Sequence, residues 1–219
     1  MRVLNLYAGI GGNRALWTGV DVTAVEHDPK IAAVYQKLYP QDTVIVGDAH
    51  SYLLENHGNF DGVWSSPPCQ SHSRFTRSGR NRKPRYVDLA LYEEILLLKH
   101  DFKGDWWVVE NVVPFYTPLI EPTAKLGRHL FWSNFSIPER DFPSFPGFIS
   151  RQNLEAKKEW HDYLGIYFDE VLYSGKNHCP TQVLRNAVYP PMGLWVFSHA
   201  ILGAACGCQD TGTQVALDL

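Results

Sequence analysis

Short, nearly unbroken apolar runs punctuate the first half of the chain, each closed by Gly, Pro, Asp or Asn. They are Val3 to Tyr7, Val22 to Glu26, Thr43 to Val46, Asp61 to Ser65 and Trp106 to Glu110. Their length and β-branched and aromatic content predict strands. Between them, mixed polar and apolar spacing predicts helices over Asn13 to Thr18, Pro29 to Tyr39, His50 to His57 and Tyr86 to His100. In the last of these, Val87, Ala90 and Leu91, Glu94 and Ile95, and Leu98 fall three and four apart on a mostly apolar side. Strand and helix alternating at this pace predict an α/β fold, a mostly parallel sheet covered by helices on both faces, with ligands outside the carboxyl ends of the strands.

The texture changes from Ile137 to Thr181, where "IPERDFPSFPGF" has no period and "RQNLEAKKEWHDYLGIYF" predicts an amphipathic helix of a small lobe. Beyond it, "MGLWVFSHAILGAA" predicts an apolar helix returning to the sheet, and the residues after Gly207 read as a flexible tail.

Composition narrows the possibilities. With 219 residues and 45% hydrophobics the chain can enclose a core and a buried site. It has no apolar stretch long enough to serve as a signal peptide or membrane span, so the expectation is a cytoplasmic protein without a membrane partner. The four cysteines have neither disulfide-framework nor zinc-site spacing, and His199, Cys206 and Cys208 are read as incidental, so no metal is expected. A net charge of −3 gives no global pull on nucleic acid. A local one exists: Arg74, Arg77, Arg80, Arg82, Lys83 and Arg85 lie together with no acid among them.

The strand ends carry the chemistry. After the first comes "LYAGIGGNRAL", whose Gly9, Gly11 and Gly12 allow a tight turn and close approach of a ligand. Arg14 stands where a dinucleotide fingerprint has its third glycine, which argues against NAD. The second strand ends in Glu26, suited to ribose hydroxyls, and the third in "VGDAH", where Asp48 can accept from an adenine amino group. A nucleoside site without a phosphate-binding lysine motif favours S-adenosylmethionine over ATP. The fourth strand runs into "SSPPCQSHSRF", where Pro67 and Pro68 stiffen the approach to Cys69. The fifth delivers Glu110 and Asn111 from a very apolar run, surroundings that favour the acid form of the glutamate and suit a proton donor facing the thiol.

Taken in order, "LYAGIGG", "VEHDP", "VGDAHSYL", "SSPPCQSHSRF", "WVVENV", "GRHLFWSNF" and "LRNAVYP" resemble the motifs of the cytosine-C5 DNA methyltransferases. The resemblance implies a Rossmann-like S-adenosylmethionine-dependent methyltransferase fold and a reaction in which Cys69 adds to C6 of a flipped-out cytosine while Glu110 engages N3. It implies cofactor contacts at Tyr7, Ala8, Gly9, Gly11, Glu26, Asp48, Pro68, Leu89, Asn186 and Val188. DNA contacts are implied at Gln70, Ser73 and the basic segment from Arg74 to Arg85. Residues 1–136 would form the catalytic and cofactor-binding domain, 137–181 a target-recognition lobe, 182–205 a returning helix and 206–219 the tail.

Three features depart from the family pattern. The arginine pair that holds the target base and a nearby phosphate aligns with Gly127 and His129, leaving Arg128 or His129 to substitute. The glycine usual before the last motif's asparagine is Arg185. The recognition segment is short, which implies a short or relaxed target, or a protein partner supplying recognition, and suits a phage or mobile-element enzyme in a prokaryotic cell. Two other expectations stay open: the same chemistry on transfer RNA, and a non-catalytic cofactor- or DNA-binding subunit.

Overall fold

The computed structural model describes residues 1–74, 86–146, 153–173 and 179–206. Seven strands form one sheet in the order β3-β2-β1-β4-β5-β7-β6. Strands β1 (Arg2–Leu6), β2 (Asp21–Glu26), β3 (Thr43–Val46), β4 (Gly62–Ser65) and β5 (Trp106–Val112) run parallel. β7 (His129–Ser133) is antiparallel to β5, and β6 (Ala124–Leu126) to β7. This is the Rossmann-like methyltransferase arrangement, and each of the five apolar runs forms its strand.

Successive strand residues face opposite layers, so both faces must be covered. On one face Val3, Val22, Trp64, Trp106, Val108 and Phe131 pack with Met192, Val196, Phe197 and Ala200 of α6 (Pro190–Cys206). On the other, Leu4, Leu6, Val63, Trp107, Val109 and Trp132 pack against α2 (Ala49–Asn56) and α3 (Ala90–His100). The apolar helix therefore does return to the sheet. Helix α1 (Pro29–Leu38) shares a further core with α4 (Glu155–Leu164) and α5 (Gln182–Asn186), through Ile31, Val34, Trp160, Leu164, Val183 and Leu184.

Two of the expected helices are corrected. Asn13 to Thr18 is a chain of turns, with Arg14 N bonded to Gly11 O and Trp17 N to Arg14 O. Side-chain bonds fix that path. Arg14 grips buried Asp42 through Nε and Nη2 at 2.9 Å each and donates from Nη1 to Trp17 O, while Tyr35 donates to the same Asp42. Arg14 thus has a structural task where a dinucleotide site would need glycine. Helix α3 begins at Ala90 rather than Tyr86, because Asp88 turns back to accept from Ala90 N.

β1 hydrogen-bonds to β2 on one side and to β4 on the other. The loops leaving β1 and β4 therefore diverge at the topological switch point, where a crevice opens beyond the carboxyl ends. The glycine turn and Cys69 stand on its two banks.

Candidate active site

The turn after β1 is unusually contorted: Tyr7, Gly9 and Gly11 all have positive φ, at 54°, 55° and 73°. A Cβ on Gly9 would meet nothing nearer than Tyr7 O at 4.0 Å, so that turn has open space beside it. Glu26, half-buried at the end of β2, accepts from Gly9 N through Oε2 and from Asp28 N through Oε1, both at 2.9 Å. Asp48 is exposed and caps α2 by accepting from Ser51 N, bonds that hold its carboxyl below the usual range. Ala8 and Val188 are buried, Asn186 is exposed at the end of α5, and Leu89, half-exposed, precedes α3. Gly12 lets the last motif close on this turn, since a Cβ there would lie 2.4 Å from Val188 O. An open glycine turn flanked by carboxylate acceptors at two further strand ends fits the nucleoside and amino-acid groups of S-adenosylmethionine, the cofactor that the sequence motifs imply.

Across the crevice, Pro67 and Pro68 lead from β4 into a single tight turn at Cys69 to Ser71. Asn111 at the end of β5 donates through Nδ2 to Pro67 O at 2.9 Å, tying the next strand to the approach. Cys69 O accepts from both His72 N and Ser73 N, and buried His72 contacts the Tyr116 hydroxyl at 2.6 Å. Ser73 bridges to Pro114, Arg74 donates from Nε to Pro114 O, and Gln70 is exposed. Of the basic segment only Arg74 is described; Arg77, Arg80, Arg82, Lys83 and Arg85 lie outside the described residues.

Cys69 is half-buried. Burial pushes its thiol up, and the charge of Glu110 adds to this, while Arg128 opposes it. The resting thiol is therefore protonated at neutral pH. Glu110 lies 6% exposed on β5, directly in register with Phe131, and its Oε1 is 2.5 Å from Nδ1 of buried His129. Burial favours the acid form, as the sequence suggested. It is outweighed, however, by His129, Ser66 and Arg128, which hold the carboxyl below its ordinary range. The expectation of a resting glutamic acid is thus corrected: two basic side chains keep it ionised. Arg128, exposed overall, donates to Arg185 O at 3.3 Å, and its charge acts on both Glu110 and Cys69. Both residues at the altered arginine motif therefore reach the site, His129 by contact and Arg128 by its field.

Sequence reasoning passed over Glu94. It is fully buried on α3, between the two banks, and bonds to Tyr7, His50 and Ser65. The signal was present as an acid within the apolar stripe of that helix, and it was read as part of the amphipathic pattern.

Residues 1–119 match the C-5 cytosine-specific DNA methylase family. The chain belongs to that family. A curated relative, the tRNA (cytosine(38)-C(5))-methyltransferase of Spodoptera frugiperda, is 31% identical over 124 residues, 52% of this chain and 36% of that protein. The chain thus matches about a third of that relative's length. Among solved structures, S. pombe Dnmt2 methyltransferase is 25% identical with a TM-score of 0.38, covering 52% of this chain and 37% of that one. A putative DNA modification methyltransferase encoded within an E. coli prophage is 18% identical with a TM-score of 0.40, covering 61% and 46%. No helix among the described residues is long and apolar enough to cross a membrane.

Proposed function

We propose that the protein methylates C5 of cytosine in DNA through a covalent adduct at Cys69. The observation that carries this reading is the joint placement of Cys69 and Glu110. A rigid turn after β4 presents a thiol, the neighbouring strand β5 presents a carboxylate paired with His129, and Asn111 ties the two strand ends together.

Cytosine C5 is a weak nucleophile until C6 is attacked. The Cys69 sulfur adds to C6, its proton is released, and N3 gains a proton, leaving C5 as an enamine carbon. The proton lost by the thiol balances the one gained at N3, the two exchanging through solvent, and the ionised Glu110, oriented by the His129 contact at its Oε1, accepts a hydrogen bond from N3–H. S-adenosylmethionine, when bound, supplies the electrophilic methyl group. Loss of the C5 proton, release of the N3 proton and expulsion of the Cys69 thiolate then restore the aromatic ring. Because C6 is shielded in a stacked duplex, the base is read as flipped out, with Gln70, Ser73 and the Arg74 to Arg85 segment contacting the strand.

Transfer RNA is the second reading, favoured by the identity to the Spodoptera frugiperda tRNA enzyme. Labelled methyl transfer measured in parallel on mixed-sequence duplex DNA and on tRNA separates the two. Wild-type protein is expected to form a denaturation-resistant adduct on 5-fluorocytosine DNA in the presence of cofactor, and Cys69→Ser to form none and to lose at least 10³-fold in rate. Methylation of tRNA alone would replace the substrate assigned here, and the absence of an adduct on either polymer would overturn the mechanism.

A further inference from the structure

One buried acid has no part in this chemistry, yet touches both banks of the crevice. Glu94 has no exposed surface. Its Oε1 accepts from the Tyr7 hydroxyl at 2.6 Å and lies 3.0 Å from His50 Nδ1. Its Oε2 accepts from the Ser65 hydroxyl at 2.5 Å. Four elements thus converge on one carboxylate: the turn after β1, the end of β4, the start of α2, and α3 itself. Glu93, next along α3, holds the other face of His50, with Oε2 at 3.1 Å from Nε2.

The two hydroxyl donors occupy informative places. Tyr7 opens the glycine turn and is the one described residue other than glycine with positive φ. For a bulky side chain that conformation is strained and persists only where surrounding bonds enforce it. The bond to Glu94 is such a constraint. Ser65 is the last residue of β4 and fully buried, immediately before the Ser66-Pro67-Pro68 run that aims Cys69. A stiff proline approach transmits any shift at Ser65 to the sulfur.

We propose that Glu94 is a positioning residue that couples the cofactor turn to the nucleophile turn. Holding Tyr7 with one oxygen and Ser65 with the other, it sets both turns from a single rigid point on α3. The coupling rests on the methyl-transfer reading only for its kinetic consequence; its effect on cofactor affinity does not. Burial pushes the Glu94 carboxyl up and also raises the Tyr7 hydroxyl, so the tyrosine stays a neutral donor throughout the working range.

The test is a double-mutant cycle on the full chain, with S-adenosylmethionine affinity measured by calorimetry for wild type, Ser65→Ala, Glu94→Gln and the double variant. Ser65→Ala removes one oxygen and introduces no clash but leaves Glu94 Oε2 without that donor, so a modest fall in melting is expected and is recorded beside the affinity. If Glu94 transmits between the banks, Ser65→Ala weakens cofactor binding about fivefold, Glu94→Gln about tenfold, and the double variant no more than Glu94→Gln alone. Unchanged affinity in Ser65→Ala, or independent additive losses, would overturn the coupling. No nucleic acid enters this arm, so its failure is distinct from a failure of methyl transfer. Should Ser65→Ala prove unstable, Tyr7→Phe gives the second arm by steady-state kinetics on the polymer that accepts the methyl group. Coupling lowers kcat at saturating cofactor as well as raising KM, whereas a purely local contact raises KM alone and would also sink the proposal.

Discussion

Glu110 and His129 are in contact at 2.5 Å with side chains 8% and 9% exposed, so the proton balance of Glu110 depends on His129. In the native protein the carboxyl is depressed, and a depressed acid contributes stability above its unfolded-state pKa that is lost as pH falls through the folded one. His129→Ala removes the nearest base. Burial then dominates and the carboxyl rises, although Arg128 still acts on it. Leaving one member of a buried pair uncompensated typically costs about 3–5 kcal/mol. We expect His129→Ala to lower the unfolding free energy obtained by urea titration at pH 7 by an amount near the low end of that range. Between about pH 7 and pH 4 the gap from wild type should narrow, because the variant takes up its proton first. A gap independent of pH would mean that His129 acts through packing alone. Glu110 was legible from its strand-end position and His129 from the altered arginine motif, but the charge state of Glu110 was not. A pairing between positions 19 apart in sequence arises only when β5 and β7 are laid antiparallel. Glu94 was hidden for a related reason, since its partners lie on three other elements.

At the scale of elements, the five parallel strands were legible because each is a short apolar run, four of them largely buried on both faces and only β3, at the sheet edge, partly exposed. Segments whose path is set by tertiary bonds were not. Asn13 to Thr18 has a helical look, yet Arg14 spends its guanidinium on Asp42 and on Trp17 O, holding turns in place of a helix. What seats α6 beside that segment is an absence of side chain. A Cβ on Gly193 would lie 2.4 Å from Asn13 O and 2.6 Å from its Cα, so the helix can approach the cofactor turn this closely only with glycine there. Gly193→Ala must lift the helix or shift the turn. Overpacking of this kind costs about 1–3 kcal/mol, which for a chain of this size lowers Tm by roughly 2–12 °C. Because Asn13 directly follows the glycine turn, S-adenosylmethionine affinity should fall with it. Gly58→Ala is the matched control: a Cβ there meets nothing within 4 Å, so melting should be nearly unchanged. Equal behaviour of the two variants in differential scanning fluorimetry would show that the contact of α6 with the turn carries no energy.

For the molecule as a whole, the fold positions the chemistry, while the charge distribution bears on the polymer that is bound. Six of the 20 Lys and Arg residues fall between Arg74 and Arg85, a stretch without an acid, against 23 Asp and Glu in the full chain. The net charge of −3 repels a polyanion at long range, so on the proposed function this segment, next to Cys69 in sequence, would supply much of the attraction. Counterion release makes such binding salt-dependent, with log K falling against log salt by about 0.9 per phosphate contacted on duplex DNA and about 0.7 on single strands. Replacing Arg80, Arg82 and Lys83 by Ala together should weaken binding of a 20-base-pair duplex at every salt concentration. The slope should be shallower by roughly 2 to 3 if each residue meets one phosphate. Melting temperature and S-adenosylmethionine affinity should not change, since the cofactor turn, Glu26 and Asp48 belong to other elements. Fluorescence anisotropy across a salt series reads both quantities, and the same titration on tRNA compares the two polymers directly. A slope identical to wild type on both would move the phosphate contacts to another surface, leaving Cys69 and Glu110 as a reaction centre whose polymer is held elsewhere.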